Sequence, residues 1–224
     1  MKTEDKFKLM DEKGNLLIKY YGKGDFDDSS EFWKHGPSWF FYEEIINLHK
    51  KIPIEELLNN KYFLVCIYAA LSSWGLDRMG RGGPKMRDFN PFKEEISKNN
   101  EEIIKISKLD PIKDKFVLKK RLLSLFDSMN ISENKNKTKI VANSKVMHFL
   151  LPKQSPIVDR EYIIRYFMNK PNYLNPSYEK KFYSKLIDIY FEILSNNEIN
   201  NDDPLREIDK VIVNHIRKKL NRIN

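Results

Sequence analysis

The chain has one cysteine, Cys66, and so can form no internal disulfide. Cys66 lies inside FLVCIYAAL, residues 63–71, where a buried, inert thiol is expected. This is the longest apolar run, and it falls far short of the roughly 20 residues that cross a bilayer. The opening Met1-Lys-Thr-Glu-Asp-Lys lacks the apolar stretch of a signal peptide, so an intracellular, cytoplasmic protein with no membrane partner is expected. The four histidines, His35, His49, His148 and His215, show no paired metal spacing, and no metal or cofactor is expected. His148, beside Phe149, reads as a packed or capping side chain. No Gly-Lys-Ser/Thr follows a glycine-rich stretch, which excludes a nucleotide-binding P-loop. Internal repeats, coiled-coil heptads and long low-complexity linkers are absent.

The chain does have charge and apolar periodicity. Of its 224 residues, 41% are hydrophobic, enough for a buried core. The net charge of +8 is unevenly spread: residues 1–60 hold nine Lys and Arg against twelve Asp and Glu, and the remainder 31 against 20. A basic surplus of this kind attracts nucleic acid through phosphate contacts and counterion release, while a Lys- and Asn-rich composition from an AT-rich genome, serving solubility alone, is the plainer alternative.

The first residues read as two short strands, FKLM and NLLIKYY, around the turn Asp11-Glu12-Lys13-Gly14, followed by the loop GKGDFDDSS. This predicts a β-like N-terminal appendage over residues 1–36. From Pro37 onward the pattern is helical, beginning with the stripe Phe41, Ile45, Leu48, and predicts a single all-α domain over 37–224. Further helices are expected at about 54–75, 91–107, 111–129, 138–151, 160–169, 176–195 and 204–220, several with Pro in the first turn, where its missing N–H costs nothing.

Two stretches combine residue types suited to phosphate. In the first, Lys135, Lys137, Lys139 and Lys145 lie just before or within the helix expected at 138–151, whose N-terminal N–H groups and dipole favour an anion. A solvated basic face accounts for the same residues. Downstream, Asp159 follows Ser-Pro-Ile-Val and precedes Arg160-Glu-Tyr. As an N-cap it would stabilise the helix by about 1 kcal/mol; as a carboxylate at a cleft it would orient water or stabilise a developing cation. In the second stretch, Trp74 to Arg87, four glycines accompany Arg78, Arg81, Lys85 and Arg87, with Trp74 as a base-stacking candidate. A loop over a buried Trp74 is the plainer alternative. Asp159, Glu179 and Lys181 also have the residue types of a metal-dependent nuclease, although residues 178–181 read as helix.

The stretch from Thr138 to Phe167 resembles the helix-hairpin-helix DNA glycosylase superfamily. Val141-Ala142 is similar to the Thr-Ala pair of the helix after its G-x-G turn. Pro156-Ile157-Val158-Asp159 resembles the approach to its catalytic Asp, and Tyr162-Ile163-Ile164-Arg165 the helix that follows. Pro204 to Asp209 resembles a closing helix. The likeness is specific over about thirty residues and loose elsewhere. It implies a helical bundle that binds DNA, with Asp159 stabilising an oxocarbenium-like sugar, Lys139 and Lys145 on flanking phosphates, Arg160 at the same surface, and Trp74 beside a flipped base. The chain departs from the pattern at the hairpin, where Asn136 and Thr138 replace the glycines, and at Ile140, where many members carry a lysine nucleophile. The resemblance therefore implies a monofunctional hydrolase, or a binding-only descendant.

Overall fold

Apolar side chains three and four residues apart place one face of a helix against its neighbours. The computed structural model describes residues 3–23, 26, 37–76, 86–132, 138–170, 174–199 and 202–221, and helices dominate them. In chain order these are α1 Thr3–Tyr20, α2 Pro37–Lys51, α3 Ile54–Leu57, α4 Lys61–Ser73, α5 Phe89–Lys98, α6 Asn100–Ser107, α7 Lys115–Ser128, α8 Ile140–Leu150, α9 Arg165–Met168, α10 Glu179–Asn196 and α11 Pro204–Asn221. A π-helical turn, Arg160–Ile164, leads into α9, and a 3-10 turn, Pro176–Tyr178, leads into α10. Among the described residues the β structure is one isolated antiparallel bridge, Met86 to Ser132.

The β-like reading of the N-terminus is thus corrected: FKLM and NLLIKYY belong to one helix. Phe7, Met10 and Leu17 share its buried face, and α1 packs against α9 and α10. Gly14, read as part of a turn, lies inside that helix, where a Cβ would come within 2.7 Å of the Ile189 side chain on α10. Its small size permits the close approach of the two helices.

Local chemistry sets several helix starts. The Asn60 side chain accepts from the N–H groups of Tyr62 and Phe63 and opens α4. Asn175 accepts from Ser177 N–H ahead of α10, with Pro176 beginning the 3-10 turn. Asp203 accepts from Arg206 N–H at 3.2 Å beside Pro204, the first residue of α11. At the centre is α8, all eleven of whose residues are buried; it packs against α2, α4, α7 and α10.

Candidate functional site

Two of the N–H groups at the start of α8 are already taken. Glu179, at the head of α10, accepts from Lys139 N and Ile140 N, each at 3.1 Å. Burial raises the pKa of this carboxyl while the two backbone bonds oppose the rise. An in-chain carboxylate therefore takes the anion's place, and one of the nuclease-type carboxylates serves as a helix cap. Among the described residues no cluster of three or more His, Cys, Asp or Glu side chains is arranged for a metal.

The three site candidates Lys145, Asp159 and Trp74 come together. Ser144 Oγ accepts from Val158 N–H at 3.0 Å, which ties the extended approach to Asp159 onto α8. Asp159 then divides its oxygens. Its Oδ1 accepts from the N–H groups of Glu161 and Tyr162, at 2.8 and 3.2 Å, and caps the π-helical turn; its Oδ2 lies 3.6 Å from Lys145 Nζ. The main chain closes the same turn through a bond from Ile164 N–H to the Asp159 carbonyl, 2.9 Å and five residues long.

Lys145 is buried rather than spread over a solvated face, its side chain 7% exposed against 32% for Asp159. It is therefore not placed as a surface contact for DNA phosphates. Its Nζ sits 4.9 Å from the centre of the Trp74 ring. Burial lowers its pKa from the ordinary lysine value, the Asp159 carboxylate opposes that fall, and Arg206 reinforces it. Trp74 ends α4 and lies roughly parallel to Tyr42, at 6.2 Å and 22°, with Phe149 at 5.0 Å. The Arg206 guanidinium is 5.8 Å from Trp74 and 5.4 Å from Tyr42. Trp74 thus borders two buried cations.

A second layer of buried polar groups lies behind this ring. His148 Nδ1 is 2.8 Å from the Ser155 carbonyl, which only accepts, so Nδ1 carries the proton and Nε2 accepts from Tyr42 Oη at 2.9 Å. Burial pushes the His148 pKa down to about 3, the Ser155 bond opposing and Arg206 adding to the fall. Asp203 Oδ2 is 3.4 Å from the same Nε2, and burial raises that carboxyl to about 7 against the opposing charge of Arg206. Arg206 also bonds Asp209.

The remaining described candidates have partners of their own. Lys139 Nζ donates to the Asp127 carbonyl at 3.0 Å and lies over the Phe126 ring, while Arg160 donates to Thr138 Oγ1 at 2.6 Å. Arg87 lies 3.8 Å from Glu95, and its N–H bonds the Ile131 carbonyl. Lys137, Arg78, Arg81 and Lys85 lie outside the described residues.

Sequence reasoning missed Asp203, Arg206, His148 and Tyr42 as neighbours of the site. One signal was available: Asp209 interrupts the apolar stripe Leu205, Ile208, Ile212, Ile216 of α11, and an acid on a buried face requires a cation, here Arg206. No family model, curated protein or solved structure matches this chain.

Proposed function

We propose that the protein binds DNA and excises a damaged or modified base. The observation that carries this reading is the Lys145–Asp159 pair, a buried amine 3.6 Å from a partly exposed carboxylate at the opening of a helical turn. The carboxylate would stabilise the positive charge that develops on the sugar as the base departs, and a base must leave the stack before such chemistry. Lys139 and Arg160, both close enough to Glu179 to affect its charge, would hold flanking phosphates. Lys145 moves in this reading from a phosphate contact to the reacting centre.

The same pair favours a second version of the step. An amine whose pKa burial has lowered is a better nucleophile than a surface lysine. In this version Lys145 Nζ attacks C1′, the base leaves with the bonding electrons and takes up the proton the amine gives up, and the resulting N,O-acetal opens to a Schiff base as the C1′–O4′ bond breaks and O4′ is protonated. In the hydrolytic version water attacks C1′, and Lys145 holds Asp159 in place.

The test offers duplexes carrying a panel of damaged bases, with borohydride present or absent. Abasic product with no trapped protein means water is the nucleophile; a covalent adduct that Lys145→Met abolishes means the amine is. Asp159→Asn keeps most of the cap yet removes the charge, so either version requires it to lose excision while retaining the fold. Salt-sensitive duplex binding with no excision of any base would favour a non-catalytic nucleic-acid module; no duplex binding would favour a protein-interaction module.

A further inference from the structure

A cationic concavity, of about 490 Å³, opens where α1, α9 and α11 meet. That volume lies in the range of small-molecule sites. Lys13, Arg165 and Lys219 line it, and none of its described lining residues is a carboxylate. Arg165 has a partner in Glu161 beyond the lining. Lys13 bonds the Tyr166 carbonyl and Asn169 Oδ1, both uncharged acceptors. Burial, and then the charge of Lys219, lowers the Lys13 pKa to about 8. Like charges that crowd each other, as Lys13 and Lys219 do with no carboxylate among the described lining residues, favour an anion from outside.

The walls specify the rest of the ligand. Leu16 is 50% exposed, Tyr20 41% and Leu220 38%, three large apolar side chains left to water around one concavity. On one side Phe26 stacks on His215 at 4.5 Å and 5°. The cap that Lys13 provides at the end of α9 explains Lys13 alone; it explains neither Lys219 nor the three exposed apolar residues.

We propose that this concavity binds a small amphipathic anion, a carboxylate, sulfonate or phosphate carried on an aromatic or short alkyl body. The anionic group lies between Lys13 and Lys219, and the body covers Leu16, Tyr20 and Leu220. This site is independent of base excision.

The probe is 8-anilinonaphthalene-1-sulfonate, titrated into the full chain at pH 7. The expected result is a saturable, one-site rise in fluorescence that phenyl phosphate and octanoate displace and inorganic phosphate at equal concentration does not. Lys219→Glu and Leu16→Glu, both at exposed positions, should each weaken binding at least tenfold, with Phe116→Ala as an unaffected control. A non-saturable signal, or undiminished binding in both variants with circular dichroism unchanged, would overturn the proposal. So would displacement by inorganic phosphate as effective as that by phenyl phosphate, which marks a bare ion site. Displacement by duplex DNA but not by phenyl phosphate would assign these cations to a DNA surface and overturn it as well.

Discussion

Helices α7 and α8 both look basic and apolar in sequence, and they are solvated very differently. In α7, Leu118, Leu122, Leu125 and Phe126 face the core, while Phe116 is 80% and Val117 52% exposed. Its charges meet other charges near solvent: Lys119 bonds Asp188 at 2.6 Å, and Arg121 bonds both Glu102 oxygens. In α8 every residue is buried, so each polar side chain needs a named partner. Asn143 donates to the Phe126 and Met129 carbonyls, Ser144 accepts from Val158, Lys145 meets Asp159, and His148 lies between Ser155 and Tyr42. The polar residues of α8 form a spine around which the site is assembled, and those of α7 keep a surface helix in water.

The contrast breaks first, if it breaks, at phenylalanine. Phe149→Ala in α8 should cost about 3–5 kcal/mol in denaturant unfolding, because a fully buried ring leaves a cavity. Next comes the bond that joins the two helices. Asn143→Leu should cost about 1–3 kcal/mol, because the Phe126 and Met129 carbonyls lose a buried donor; a neutral result would mean that α8 does not depend on matched polar groups.

The buried titrating pair gives a pH test. Asp203 ionises near 3.8 in the unfolded chain and about 7 in the folded protein, so its contribution is full below 3.8 and lost as pH rises to 7. His148 is the reverse: its contribution is full above 6.5 and lost as pH falls towards 3. Between pH 4 and 6.5 the two slopes, each about 1.4 kcal/mol per pH unit, oppose one another. Asp203→Asn should therefore make stability climb with pH across that window, and His148→Gln should make it fall. Parallel urea-unfolding profiles for the two variants would contradict the burial that separates α8 from α7. The smallest effect is expected at Phe116→Ala, within about 0.5 kcal/mol of the parent; a loss as large as that at Phe149 would erase the distinction altogether.

The all-helical class was legible because apolar spacing is a local property, and most helices from 54 onward lie close to their expected ranges. The N-terminal helix was not, since Asp-Glu-Lys-Gly reads as a turn and only the passage of α10 across Gly14 explains the glycine. At the site, the cap at Asp159 could be read from Val-Asp followed by Arg-Glu-Tyr. The burial of Lys145 could not: its partner lies fourteen residues downstream, brought back by the turn after α8. The clustering of Lys residues around a helix start suggested a phosphate site, but Glu179, forty residues from Lys139, fills it. Long-range partners decide whether a lysine is surface or core, and composition carries no record of them.

The five-residue bond from Ile164 to Asp159 has a consequence for insertions and deletions. A π turn holds one residue more than an α turn, so removing a single residue between 160 and 163 would let the chain close as ordinary helix. Tyr166, Phe167 and Met168 would keep their buried places, and because the same two backbone groups would close the shorter turn, Asp159 would keep its place beside Lys145. Removing one residue within α9 instead would turn everything ahead of it by about 100° about the helix axis and carry Asp159 away from Lys145. The aim of the carboxylate is thus set by a count of residues as well as by their identity, and the π turn is where that count has slack.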